Sequence, residues 1–523
     1  MKKKYLLIAA FMGISFLWSC KEDTLDLVNP NALTTDLYFT NLAQLQAGAN
    51  SMYTQARGNG LISLNYFWLN ELTSDDAASG GGQCPIDYVK ILNNSQDASN
   101  PIIGQVWECW YRLIHRANVV IERAPGIKLD PQNLESEELA RKNIVGQAKF
   151  FRAWAYYELA LNFGKVPVYI EPVSSLSDFK ARAELDAVYA QIEKDLNEAI
   201  PDLTDAAEFD GGKVTKYAAL ALLGKTYMLS GDYAKAKTEF TKITSSGLFA
   251  LTDNYMENFL EEYPINNESI FQINFLDPAS DVWSWGWNED GNETYALRSG
   301  RNQRIDPLSW RNMIPSDNLL AEYESATNGF AKTDPRMKFT VYFEGDPYNE
   351  NGDLIGDMNG NTSTYEDQTI KTGWRKSTSI YNAQSWEIGW HASQINQRII
   401  RYSDVLLLLA ECENETGNST AAMSLVNQIR DRESVAMPHY PIPGYTDISS
   451  KNGVFNIIMH ERRVELAFEE VRSNDIKRWK RQGKISGWPF SYSPKNPDMY
   501  MPIPITEVNG NPLIGQENQN EGY

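Results

Sequence analysis

Cysteine and histidine are scarce in this 523-residue chain, four of each. With Cys20 set aside, Cys84, Cys109 and Cys412 leave one thiol over from any disulfide, which argues against a disulfide scaffold. Cys84 with Cys109 is the one pairing to examine, against the alternative of buried free thiols. His115, His391, His439 and His460 stand at no metal-ligand spacing, so a zinc site is disfavoured. Basic side chains are outnumbered 48 to 68 by acidic ones, for a formal charge of −20. Nucleic acid and anionic lipid would both need a basic patch, and both are disfavoured as partners. The apolar run Tyr5–Trp18 is too short to span a bilayer; after Lys2, Lys3 and Lys4 it has the order of an export leader, and no later segment is apolar and long enough to cross. There is no Gly-x-Ser-x-Gly, no phosphate-binding glycine loop and no zinc-protease helix.

Where the apolar run ends, Leu17, Ser19 and Cys20 resemble the lipobox of bacterial lipoproteins, in which the leader is cut before the cysteine and the cysteine receives lipid. Lys21, Glu22 and Asp23 are similar to the lysine-plus-acid signal that sends Bacteroidetes lipoproteins to the outer face of the outer membrane. The alternative is a plain cleaved leader with Cys20 incidental. Removal of residues 1–19 takes three lysines and moves the formal charge from −20 to −23. Membrane attachment then rests on the lipid alone.

Residues 20–523 read as one intertwined unit, since no low-complexity linker divides them. The fold expected is mainly α-helical: tetratricopeptide-like hairpins form a scaffold, and a loop-rich excursion with short strands carries the ligand face. From Arg141 to Phe163 the apolar residues follow helical spacing, and Gly164 ends the run. In "LALLGKTYMLSGDYAKAKTEFTKI", Leu220, Leu223, Gly224, Tyr227, Ala236 and Phe240 match the tetratricopeptide hairpin; Leu406, Leu409, Ala410, Gly417, Ala422 and Val426 repeat its offsets. The copies are far apart, so the fold must bring the hairpins together. Between a helical part at 20–252 and another at 398–523, residues 253–397 are rich in Gly, Asn, Asp, Tyr and Trp, with turn signals and short strands such as "SIFQINF" and "KFTVYF".

The stretches "QAKFFRAWAYYELALNFGKVPV", "RIIRYSDVLLLLAECENETGN", "VNQIRDR" and "IMHERRVELAFEEVRSNDIKRW", with the tail "MYMPIPITEVNGNPLIGQENQNEGY", resemble the signatures of SusD-like (RagB-type) lipoproteins of Bacteroidetes. The resemblance implies four tetratricopeptide-type hairpins. It also implies an extracellular, non-catalytic, glycan-binding lipoprotein that lids a SusC-like TonB-dependent transporter, anchored by lipid to the cell outer membrane.

Within "DVWSWGWNEDGNETY", Trp283, Trp285 and Trp287 fall on one side of an extended strand, a strip on which sugar rings can stack. Asn288, Tyr295 and Arg298 supply polar partners nearby; the competing reading is that some of these rings plug the loop into the scaffold. A second candidate is "NYFWLNELTSDDAASGGGQC", with Trp68, Asp75 and Asp76, where the carboxylates either accept sugar hydroxyls or cap a neighbouring turn. Trp310 is a third, set against core packing. Glu461 and Glu465, four apart on a helix that also carries Leu466 and Phe468, raise a paired-carboxylate hydrolase, but the interleaved Arg462, Arg463 and Arg472 favour salt-bridged packing. Asp346, Asn349, Asp353 and Asp357 offer oxygen ligands for Ca²⁺ without fitting the EF-hand loop, and a polar hairpin tip is the competing reading. No other cofactor is expected. Two further functional readings remain: a surface lipoprotein or assembly scaffold of the same transporter type that binds peptide or protein, and a glycoside hydrolase.

Overall fold

The computed structural model describes residues 38–81, 84–175, 177–205, 212–275, 299–382, 393–442 and 447–523. Cys20 and the stretch carrying Trp283, Trp285, Trp287, Asn288, Tyr295 and Arg298 lie outside the described residues.

Helices dominate the first half. They are α1 (Leu42–Arg57), α2 (Asn65–Leu72), α3 (Ile86–Leu92), α4 (Pro101–Arg123), α5 (Leu134–Phe163), α6 (Leu185–Ala199), α7 (Lys216–Leu229) and α8 (Tyr233–Thr244). The α4 start follows from local chemistry: the Asn100 side chain accepts from the Ile102 and Ile103 amides, and Pro101 fills a position whose N–H has no partner anyway. Helix α5 begins seven residues before the apolar periodicity does, with Glu135 and Glu137 facing the positive end of its dipole. It ends where Gly164 adopts φ 75°.

Packing proceeds from neighbour to neighbour. Helix α1 lies against α4, α4 against α5, α5 against α6, α6 against α7 and α7 against α8. The hairpin α7–α8 is the one read from the sequence. A Cβ placed on Gly224 would come within 2.6 Å of the Phe240 ring, so only glycine lets the two helices approach this closely. The second copy forms α12 (Tyr402–Glu415) and α13 (Ser419–Arg430), and α8 packs on α12, which joins the distant hairpins into one stack.

Among the described residues the excursion contributes strands to four two-stranded antiparallel sheets: β1 (Ala77–Ser79), from the N-terminal part, with β3 (Met313–Pro315), β2 (Ser269–Ile273) with β8 (Gln397–Arg401), β4 (Val341–Phe343) with β7 (Thr372–Trp374), and β5 (Ser363–Tyr365) with β6 (Gln368–Ile370). Short helices α9 (Arg301–Ile305), α10 (Asp317–Glu322) and α11 (Arg336–Thr340) lie among them. The stretch "KFTVYF" is thus only half a strand. Its first residues are helical because the Asp334 side chain accepts from the Arg336 amide at 2.9 Å and starts a turn.

At the C-terminal end α14 (Lys451–Leu466), α15 (Arg472–Arg481) and α16 (Ile505–Gly510) complete the molecule. Phe468 lies beyond the end of α14, contrary to its sequence spacing. Lys376 Nζ, fully buried, takes the Glu465 and Ala467 carbonyls at 3.2 and 2.9 Å and the Glu469 carboxylate at 2.8 Å, and so satisfies the helix end. Phe468 turns to φ 65° and stacks on Trp374 at 3.8 Å. The tail returns to the first helices, with the Met501 amide donating to the Asn162 carbonyl at 2.7 Å.

Candidate functional site

Among the described residues a cleft of about 1460 Å³ runs along one face of α4. Gln105, Glu108, Arg112 and His115 recur at helical spacing along it, and the lining extends from Pro101 to Asn118, about 25 Å at 1.5 Å per residue. That is long enough for several sugar rings.

One wall is layered. Trp310 and Arg304 come from the excursion, and Tyr88 comes from α3. The Arg304 guanidinium lies 5.6 Å from the Trp310 ring centre and 6.0 Å from that of Tyr88. Behind Tyr88, the Trp68 ring stacks at 4.6 Å and is fully buried. The Tyr88 hydroxyl donates to Asn65 Oδ1 at 3.0 Å, and the Asn65 amide donates to Gln105 on α4. Burial pushes the Tyr88 phenol up, and the Arg304 cation opposes the shift. The flanking charges are compensated: Asp87 pairs with Lys90 at 3.2 Å and Glu108 with Arg112 at 2.6 Å.

The far wall is also fixed. Tyr111 Oη donates to the Pro167 carbonyl at 2.8 Å, while Asn118 Nδ2 donates to the carbonyls of Tyr169 and Glu171 at 3.1 and 2.9 Å. Asn118 is held in turn by Arg152, which pairs with the buried Asp195 at 2.5 Å.

These positions sort the candidates read from the sequence. Trp310 is half-buried in the cleft wall, while Trp68 is a correction: it backs Tyr88 from the core and has no surface to offer a ligand. Asp75 and Asp76, 8% and 0% exposed, are corrected likewise. Asp75 pairs with Arg472 at 2.7 Å and Arg463 at 3.1 Å, and Asp76 with Arg463 at 2.8 Å. Burial works to raise the Asp75 carboxyl, but Arg472 and Arg463 outweigh it and hold it below the usual range. Asp76, more deeply set, is raised by burial despite Arg463. The two aspartates thus join the scaffold to α14 and α15.

Glu461 and Glu465 are fully buried. Arg336 lies between them at 2.6 and 3.1 Å, Arg430 pairs with Glu461 at 2.9 Å, and Arg401 and Arg432 take Glu465 at 2.7 and 2.9 Å. No substrate reaches such a pair. Asp346 is bound by Lys338 at 3.0 Å, Asp357 by Lys371, and Asn349 with Asp353 closes its own hairpin turn; among the described residues no cluster of three or more metal-ligating side chains occurs. Cys84, Cys109 and Cys412 are buried free thiols.

The tryptophan-bearing stretch meets the described residues at Ser299. Its backbone pairs with Ser393, and the next amide, Gly300, donates to Ser63 Oγ at 3.0 Å. Ser63 follows the cleft-lining Asn59 in the turn that leads into α2. Tyr88 and Arg304 escaped the sequence reading: a single tyrosine in "PIDYVKIL" and one arginine in "RNQRIDPLSW" carry no pattern until the fold brings them together.

Comparison with known proteins agrees with this architecture. A model of the SusD family matches residues 266–523, and one described as "Starch-binding associating with outer membrane" matches residues 23–228. The chain belongs to the SusD-like family. It is 26% identical to a SusD-like protein of Formosa agariphila, P38, over 521 residues, which span 94% of this chain and 97% of that relative. A shorter match, 29% over 133 residues and 24% of this chain, joins it to the starch-binding protein SusD of Bacteroides thetaiotaomicron, of which it covers 23%. Among solved structures, a SusD-like protein of Bacteroides fragilis superposes with a TM-score of 0.72 at 20% identity, covering 93% of this chain and 98% of that one. The surface glycan-binding protein A of Bacteroides fluxus superposes with a TM-score of 0.70 at 20% identity, covering 92% of this chain and all of the other, 100%. At such identity the superpositions speak for the fold alone.

Proposed function

We propose that this SusD-like protein captures an oligosaccharide in the α4 cleft and passes it, without chemistry, to a SusC-like TonB-dependent transporter at the cell surface. The observation that carries the reading is the wall formed by Trp310, Tyr88 and Arg304. The half-buried Trp310 ring can take the flat C–H face of a sugar, the buried Tyr88 braces Arg304 beside it, and Gln105 and Asn59 along the same cleft can meet hydroxyls. The names of the starch-binding and glycan-binding relatives support the same ligand class. Trp283, Trp285 and Trp287 are proposed as a further stacking strip, and Cys20 as the site of the lipid that keeps the protein at the outer membrane, facing outward.

The test is affinity electrophoresis of the chain from Lys21 onward, which keeps every described residue, through gels containing a panel of neutral and anionic polysaccharides. Retardation by a glycan is expected, reduced in Trp310→Ala and in the triple variant Trp283→Ala, Trp285→Ala, Trp287→Ala. No retardation by any member would refute the reading and turn attention to peptides. Retardation that Trp310→Ala leaves intact would remove the cleft from it. The anchor is tested by labelling cells with a fatty-acid analogue, where Cys20→Ala should lose the label.

A further inference from the structure

The glycan reading leaves one cation unexplained. Carboxylates line the cleft at Asp87, Glu108 and Glu507: the first two each have their own cation on the same helix, and Glu507, on the Tyr111 side, accepts from Asn511 Nδ2 at 3.2 Å. Arg304 differs. Among the described residues it is engaged by the Trp310 and Tyr88 rings and by no carboxylate, although it is half-buried in a protein of net charge −20. The guanidinium carbon sits within 6.0 Å of both ring centres, and among the described residues no side chain or carbonyl takes its N–H fork, which leaves it for a ligand. A planar fork held in this way matches the paired oxygens of an anionic substituent.

We infer that Arg304 makes the cleft selective for sugars bearing an anionic group, a uronic carboxylate or a sulfate ester, seated beside the ring that stacks on Trp310. The inference rests on the glycan reading of the cleft. The overall acidic charge does not oppose this, because the long-range acidic surface is screened by salt and the field beside Trp310 is set at short range by Arg304.

The experiment pairs each anionic polymer with a neutral counterpart in the same gel assay: polygalacturonate with its methyl ester, and dextran sulfate with dextran. The wild-type chain should be retarded by at least one anionic member more strongly than by its neutral partner, and which pair responds tells carboxylate from sulfate. Arg304→Gln should weaken that binding about ten- to a hundredfold, the range of a charged hydrogen bond, while Arg304→Lys keeps part of it. Salt near 1 M, where the Debye length is about 3 Å, should weaken the wild type and have little effect on the residual binding of Arg304→Gln. Far-ultraviolet circular dichroism and unfolding midpoints establish that the variants fold. If a neutral polymer binds as well as its anionic partner and Arg304→Gln leaves this unchanged while Trp310→Ala abolishes it, the inference is overturned and the glycan reading stands. If no polymer is retarded, both fall.

Discussion

Replacing Glu465 by glutamine tests whether the buried ion cluster, and not hydrophobic burial alone, holds the excursion to the helical scaffold. Glu465 sits on α14 and accepts from Arg401 at 2.7 Å, Arg432 at 2.9 Å and Arg336 at 3.1 Å, all essentially fully buried. Arg336 belongs to the excursion, and Arg401 and Arg432 also hold Glu268 at the start of β2. The amide keeps the volume of the carboxylate but removes one charge and turns a donor toward an arginine. Breaking a buried pair from one side costs about 3–5 kcal/mol, because the stranded cation stays desolvated. Urea unfolding at pH 7 should show that loss as a lower midpoint. Burial works to raise the Glu465 carboxyl, but Arg432, Arg401 and Arg336 hold it well below the usual range. A carboxylate depressed in the folded state stabilises above its unfolded value near 4.5 and loses that contribution as pH falls. The gap between wild type and variant should therefore be flat from pH 6 to 8 and close below about pH 4.5 by about 1.4 kcal/mol per unit. A gap under about 1 kcal/mol at pH 7, or one that does not narrow in acid, would refute the reasoning.

His460 titrates in the opposite sense: burial would lower it, but Glu322 and Glu324 raise it to about 9, so its contribution is complete below pH 6.5 and lost as pH rises through 9. Urea midpoints should fall between pH 7 and 10 by an amount on the order of 3 kcal/mol, and His460→Gln should flatten that limb. Gly224→Val places methyl groups where the Phe240 ring already lies 2.6 Å from a Cβ, and should cost about 1–3 kcal/mol in thermal or urea unfolding, with Gly224→Ala milder. Trp68→Ala empties the support behind Tyr88; it should cost about 3–5 kcal/mol in unfolding and weaken glycan retardation, although Trp68 itself is fully buried.

The helical scaffold was legible in the sequence because its signal is periodic. The face of α5 and the paired hairpins around Gly224 and Ala410 repeat at spacings that survive whatever surrounds them. The excursion was legible only as composition. Its strands are three to five residues long and are defined by partners distant in sequence, as when Val341 pairs with Trp374. The end of α14 was hidden for the same reason: the Lys376 amine that closes it arrives from the excursion. At the site, a carboxylate that pairs with an arginine from the far end of the chain looks, in sequence, like one waiting for a sugar. Asp75 and Asp76, candidates for a sugar or for a local cap, belong to the first kind. The cleft wall showed the reverse, since Tyr88 and Arg304 look ordinary until Trp310 stands beside them.

The most direct test of the account is a crystal structure of the chain from Lys21 onward with an oligosaccharide drawn from the polymer that retards it. Sugar density in the α4 cleft, with a ring against Trp310 and polar contacts from Arg304, is the expected result. Density on another face, with the cleft empty at saturating ligand, would contradict it.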